Sequence, residues 1–249
     1  MKLGFQTADK AIRRTVSTGI KALDTLLEGG LELGTMHLFY GDRALHKDLL
    51  KMAAHIQLPE ERGGLSSPTI IIDSANMMKI DALTEYAFEF ELEPEHVMEK
   101  VYISRAFNSS QTYDLVMNQL ESFLDRIPAR LLIVSGLPDL YLSEGITGEG
   151  LQQITHMATK VKRLTLQRNL ATLVTTQPSP RNLRFPAGGK TLSSSAQVHV
   201  YVEESKSYTH YTLAKHPQFP VRRTSRAKSV DFGWTLPLSH FLNQEEERE

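Results

Sequence analysis

In the stretch Gly41-Asp42-Arg43-Ala44-Leu45-His46-Lys47-Asp48, Gly41 and Lys47 stand in the register of a phosphate-binding loop. The working pattern is G-x-x-x-x-G-K-[ST] between a strand and a helix. Backbone N–H groups cradle the phosphates, the lysine reaches them, and the hydroxyl holds Mg²⁺. Here the second glycine is replaced by His46 and the hydroxyl residue by Asp48. His46 puts a Cβ and an imidazole where the backbone must approach the ligand. Asp48 puts a carboxylate beside a polyanion. At ~4 Å and an effective dielectric of ~20, one such like-charge pair costs ~4 kcal/mol, roughly a thousandfold in affinity. Phosphoryl transfer needs positioned phosphates, a metal and an oriented water together. The stretch thus has the frame of a nucleotide site without its chemistry. Lys47 would then pair with Asp48, Asp42 or Asp73 in the vacated pocket.

The flanking residues supply the elements that such a site requires. His37 to Tyr40 reads as a buried strand end, and Asp48 to Ile56 as a helix. Further apolar runs recur at Met36–Tyr40, Thr69–Ile72, Val101–Ser104, Leu131–Val134 and Ala171–Thr175. Helical stripes lie between them: Ile80, Leu83, Ala87 and Phe90; Leu115, Met117, Leu120, Phe123 and Leu124; Leu151, Ile154, Met157, Val161 and Leu164. A further helix opens at Ser17-Thr18-Gly19 and stops at Gly29-Gly30. Solid apolar strands alternating with helices predict an α/β fold with a mostly parallel sheet covered on both faces. Gln197–Val202, Tyr208–Ala214 and Val230–Trp234 read as antiparallel strands extending that sheet, and Pro178 to Ser195 as a loop.

The 249 residues and 41% hydrophobic content support one large core, and the absence of cysteine excludes disulfides and thiolate metal sites. The histidines form no ligand-like cluster, so no zinc site is expected. No apolar run spans a membrane and the first residues lack a signal-peptide core, so an intracellular location is expected. The net charge of −1 is unevenly spread. Pro180 to Lys228 holds nine Lys/Arg against two acids, Glu203 and Glu204. Such a basic third beside an acidic body suits a polyanion-facing surface, or a solvated face paired with acidic neighbours.

Several segments resemble, in order, the RadA branch of the RecA-like recombinases. Ser17-Thr18-Gly19-Ile20-Lys21-Ala22-Leu23-Asp24 with Glu28-Gly29-Gly30-Leu31-Glu32-Leu33-Gly34 resembles that family's entry motif. Glu93-Pro94-Glu95-His96-Val97 followed by Val101 to Ser109 is similar to a second segment, Thr175-Thr176-Gln177 to a strand end, and Gly4-Phe5-Gln6-Thr7-Ala8 to its arm. The resemblance implies a RecA-like core over residues 17–242, a docking arm over 1–16 and an acidic tail over 243–249. The family's N-terminal helical domain has no counterpart in the sequence. The departures are specific. The metal-holding aspartate corresponds to Ser135 and the water-activating glutamate to Ala75. The first DNA-binding loop corresponds to Leu142–Glu149, which has no basic residue.

The resemblance thus implies a catalytically inactive paralogue without a cofactor, with residual ATP binding at most. Gly41, His46, Lys47, Asp48, Asp73, Ser135 and Gln177 would form its degenerate pocket. Phe5 and Ala8 would dock on the core of an active RadA-type recombinase. Arg181, Arg184 and Lys190 lie where the family's second DNA-binding loop lies. With Arg222, Arg223, Arg226 and Lys228 on later strands and turns, they would hold single-stranded DNA weakly by its phosphates. Phe185 would add base stacking. Lys215, in the turn Lys215-His216-Pro217, would reach a partner's ATP or else remain an exposed turn lysine. Such a protein would load, cap or stabilise a recombinase filament in DNA repair. It would be cytoplasmic if archaeal, as the resemblance implies, or nuclear if eukaryotic. The alternatives are a weak ATP-binding switch of the RecA or KaiC type and a scaffold subunit without DNA binding.

Overall fold

The computed structural model describes residues 13–228. Phe5, Ala8, the expected strand Val230–Trp234 and the acidic tail lie outside them. Among the described residues the chain begins with β1 (Thr15–Val16), α1 (Lys21–Leu27), β2 (Leu31–Glu32), β3 (Thr35–Gly41), α2 (Ala44–His55), β4 (Thr69–Asp73), α3 (Ala82–Glu89) and α4 (Pro94–Glu99). Next come β5 (Val101–Arg105), α5 (Ser109–Asp114), a π-helical stretch (Leu115–Gln119), α6 (Leu120–Arg126), β6 (Leu131–Ser135), α7 (Asp139–Glu144) and α8 (Gly148–Arg168). β7 (Ala171–Thr176), the short pair β8 (Pro178–Ser179) and β9 (Asn182–Pro186), and α9 (Gly189–Ser195) lead to β10 (Val198–Glu204), β11 (Tyr208–Lys215) and β12 (Arg222–Ala227).

Eight strands form one sheet in the order β12-β11-β10-β3-β7-β6-β4-β5. β10-β3-β7-β6-β4-β5 are parallel, while β11 and β12 extend the sheet antiparallel. This is the α/β architecture expected from the alternating pattern, and it fits the RecA-like core that the resemblance implies. The period-2 side-chain alternation divides the core in two. Phe39, Ile71, Ile133 and Leu173 face α1 to α4, and Leu38, Ile70, Ile72 and Val134 face α6 and α8. Each such fully buried side chain contributes about 1.5–3 kcal/mol. Truncating Ile133 to alanine would cost about 2–5 kcal/mol.

Three local expectations change. The entry helix begins at Lys21, not at Ser17. Asp24 reaches back to accept from the Ser17 hydroxyl at 2.6 Å and from the Thr18 N–H at 2.7 Å, holding the entry as a capped turn. The end of the expected arm belongs to the folded body: Thr15–Val16 pairs with Leu31–Glu32, and Arg13 meets Glu32 at 3.3 Å. Pro178 to Ser195 is the β8–β9 hairpin followed by α9, not a loop. The hairpin closes through the Ala187 N–H to the Gln177 carbonyl at 3.0 Å. A third antiparallel strand does occur, and it is Arg222–Ala227.

Candidate functional site

Parallel α/β sheets bind ligands at the carboxyl ends of their strands. Gly41 ends β3, Asp73 ends β4, Ser135 ends β6, and Gln177 follows β7. The topology therefore brings the predicted pocket residues to one edge, with Asp73 directly beside Ser135 in register.

Three of the backbone N–H groups at that edge, those of Asp42, Leu45 and His46, are spent internally. α2 starts at Ala44, a full turn earlier than the expected Asp48. With no second glycine to hold an open arch, Ala44 and Leu45 enter the helix and Leu45 is buried. The N–H groups of Leu45 and His46 donate to the carbonyls of Asp42 and Arg43 at 3.2 and 3.1 Å. The Asp42 N–H donates to Val202 at 2.9 Å, and its carboxylate accepts from the Glu204 N–H at 2.7 Å. A phosphate cradle needs successive N–H groups aimed at one concavity. Gly41 has a separate reason to be glycine. Its φ is +135°, and a Cβ there would stand 1.9 Å from the Val202 carbonyl oxygen of β10.

The side chains follow the same pattern. Asp48 does not face the pocket but is buried on the opposite side of α2. It accepts from the Tyr211 hydroxyl at 2.7 Å and pairs with the Arg226 guanidinium at 2.7 Å. Burial pushes its carboxyl up, and Arg226 and Tyr211 oppose that shift. The sequence-level argument of a carboxylate repelling phosphate is thereby corrected: Asp48 ties α2 to β11 and β12. Lys47 is exposed and makes no ion pair among the described residues, so the expected pairing with Asp42, Asp48 or Asp73 is absent there.

His46 is half-buried, with Nδ1 3.3 Å from the Ser135 hydroxyl, and burial pulls its pKa down. Asp73 is fully buried and accepts from the Met78 N–H at 3.2 Å, with Arg105 Nε 3.9 Å away. Its Oδ1 has no hydrogen-bond partner among the described residues. Where a water-activating carboxylate would project, Ala75 packs closely enough that a Cβ on Gly136 would stand 2.8 Å from it.

Sequence reasoning missed Asp139. It opens α7 and accepts from the Gln177 N–H at 3.2 Å and the Thr176 hydroxyl at 3.4 Å. Burial pushes its carboxyl up to about 6. It thus fixes the base of the β8–β9 hairpin. Tyr40 fixes the far strand, donating its hydroxyl to the Arg184 carbonyl at 2.7 Å.

The basic residues divide into two sets. Arg181, Arg184 and Lys190 are exposed and have no carboxylate partner among the described residues. Leu183 and Phe185 stand exposed beside them on the hairpin. The β12 residues are occupied. Arg222 meets Glu28 at 2.6 Å and donates to the Leu26 carbonyl, Arg223 meets Glu203 at 3.2 Å, and Lys228 pairs with Glu204. Arg222 therefore holds the end of α1 in place. Lys215 donates to the Ser193 and Ala196 carbonyls at 3.1 and 2.7 Å. Lys215 is thus an exposed lysine at the end of β11 whose ammonium group contacts the end of α9.

A second feature lies at the other sheet edge. Among the described residues β5 is the last strand of the sheet on this side, and beside it a cavity of about 110 Å³ opens between β4, β5, the π-helical stretch and α6. Ile70, Ile72, Tyr102, Leu120 and Phe123 give it an apolar lining. No described helix is long and apolar enough to cross a membrane, and no group of three or more metal-ligating side chains occurs among the described residues.

Compared with known proteins, residues 10–222 match the model of the Rad51 family.

Proposed function

Because the chain belongs to the Rad51 family, we propose that it is a recombination protein that acts by binding, without ATP hydrolysis. The carrying observation is the closed first turn of α2. The N–H groups of Leu45 and His46 bond within the turn, and Asp48, at the metal-ligand position, is turned into a buried contact with Tyr211 and Arg226. Ser135 and Ala75 leave two more parts of the phosphoryl-transfer apparatus without their usual chemistry. No cofactor is needed for this role.

The exposed hairpin with Arg181, Arg184 and Phe185, together with Lys190, is the surface proposed for single-stranded DNA. Guanidinium and ammonium groups neutralise phosphates without reading sequence. The arm residues Phe5 and Ala8 are proposed to dock on an active recombinase. The chain's own β5 edge, with its apolar cavity, offers the complementary kind of site: a strand edge that takes an added strand and a cavity that takes its side chain.

The test is phosphate release with Mg²⁺ and single-stranded DNA, alongside DNA binding with and without ATP. The expected result is background hydrolysis and salt-sensitive binding that ATP leaves unchanged. Turnover that disappears in Lys47→Ala would overturn the reading. For the arm, Phe5→Glu places a charge in an apolar pocket and should abolish capture of the recombinase. Parental capture by that variant would remove the arm from the interface.

A further inference from the structure

The sheet beyond β3 carries helices on one face and is open on the other. Val198, Val200, Val202, Tyr211 and Leu213 point inward and are buried in the core cluster under α1 and α2. The alternate residues of β10 to β12 point outward; His199 is buried where it meets the Ser193 carbonyl at 2.8 Å, and the others, from Tyr201 on, are partly or fully exposed. Cross-strand register aligns Tyr201, Thr212 and Arg223 in one row, and Glu203, His210 and Ser225 in the next. Tyr208 lies one step further along β11 and is 48% exposed.

The rings on this face are organised in pairs. Tyr201 stacks on Tyr40, with centroids 5.2 Å apart and planes at 27°. Tyr208 and His210 lie 6.0 Å apart at 25°. Tyr40 in turn holds the β8–β9 hairpin through the Arg184 carbonyl. Burial and the charges of Glu203 and Asp42 raise the Tyr201 hydroxyl, and Arg184 and Arg223 oppose that shift. The hairpin and the open face therefore meet at Tyr201.

We propose that this face is a stacking platform for single-stranded nucleic acid, continuous with the basic hairpin. The proposal rests on the hairpin being a nucleic-acid contact and names surface that the hairpin alone does not supply. The side chains present favour this occupant over a protein. The outward positions hold aromatic rings, hydroxyls, Arg223 with its partner Glu203, and the alanines Ala214 and Ala227, with no Leu, Ile, Val or Met on β10, β11 or β12 facing that way. Any unpaired base has a π-face that stacks on such rings, and arginine beside them meets the backbone. Glu203 holds Arg223 at 3.2 Å in the free protein, and an incoming phosphate competes for that guanidinium.

The experiment measures binding of a fluorescein-labelled oligothymidine and of the matching duplex, across a salt series, for the full chain. Tyr208→Ala should weaken single-strand binding roughly tenfold without changing the salt slope, because stacking releases no counterions. Tyr208→Phe should keep parental affinity, since the ring is retained. Glu203→Gln should tighten binding and steepen the salt dependence by freeing Arg223. Arg181→Ala with Arg184→Ala should flatten the salt slope. If Tyr208→Ala and His210→Ala both bind like the parent while the arginine variant fails, the platform is wrong and the hairpin reading stands. If the parent shows no salt-sensitive binding, both fall. Duplex binding as tight as single-strand binding would also overturn the platform, because paired bases hide the faces it needs.

Discussion

At the scale of single residues, Asp48 changes meaning most between sequence and structure. In the motif register it is a misplaced metal ligand; in the fold it is a buried anchor with two partners on strands far along the chain. Removing one member of such a pair leaves an uncompensated charge in the interior. Asp48→Ala should therefore destabilise the protein by about 3 kcal/mol, toward the low end for buried pairs because Arg226 is a third exposed. Tyr211→Phe should cost about 1 kcal/mol, the net value of one hydrogen bond. Urea unfolding of both variants checks the order. A loss for Asp48→Ala no larger than that for Tyr211→Phe would show that the ion pair carries no stability. On the proposed reading, His46→Gly with Asp48→Ser should show no hydrolysis above background, because Ser135 and Ala75 remain and the parts of such a centre act together.

At the scale of elements, the β8–β9 hairpin is held from two sides, by Asp139 at its base and by Tyr40 on its return strand. Both contacts come from the chain itself. The resemblance drawn from the sequence placed Gln177, which precedes this hairpin, in the degenerate pocket. Here its backbone N–H and carbonyl both have partners, Asp139 and Ala187. Asp139→Ala should loosen the hairpin without unfolding the core. Hydrogen exchange should speed up about tenfold at the amides of Gln177 and Ala187, the size of one charge-assisted hydrogen bond, while the β6 amides stay protected. Unchanged exchange at Gln177 would mean that Asp139 does not hold the base.

At the scale of the whole molecule, the buried titratable groups set a pH dependence whose sign is determined. His37 is neutral in the fold. Its Nδ1 meets the Thr172 carbonyl at 3.2 Å and Nε2 accepts from the Glu32 N–H at 3.3 Å. Burial lowers its pKa to about 4, and that of His199 likewise to about 4. Below ~6.5 the unfolded chain binds protons at both that the fold refuses, so stability falls with pH in that window. Asp139 acts oppositely. Burial raises it to about 6, so between ~6 and ~4 the fold holds a proton that the unfolded chain releases. These three groups by themselves leave a net loss of about 1.4 kcal/mol per pH unit on going from 6 to 4; His46, His55 and His216, also lowered by burial, add to the loss, and Asp48, raised by burial, opposes it. Asp139→Asn should steepen the slope by about 1.4 kcal/mol per unit, read from urea midpoints at pH 6, 5 and 4. An unchanged slope would place the Asp139 titration outside this window.

The amino-acid sequence by itself determined the layers of this protein. Hydrophobic period and strand–helix alternation are local properties, so the parallel sheet, its flanking helices and the antiparallel extension were legible at Ile70–Ile72, Leu131–Val134 and Tyr208–Ala214. The degenerate positions His46, Asp48, Ala75 and Ser135 were legible too, because a motif is a spacing. Only the tertiary structure decided what those side chains do instead. Asp48 meets Tyr211 and Arg226, and Lys215 meets the end of α9, across long sequence separations that no local pattern encodes. Asp139 gave no motif signal, since one aspartate after Pro138 reads as an ordinary helix start. The charge count of the basic third was correct, but it could not tell the arginines paired with Glu28 and Glu203 from those on the hairpin, which have no carboxylate partner among the described residues. Pairing is a matter of distance between strands, and strand order is set when the two faces of the sheet are buried together.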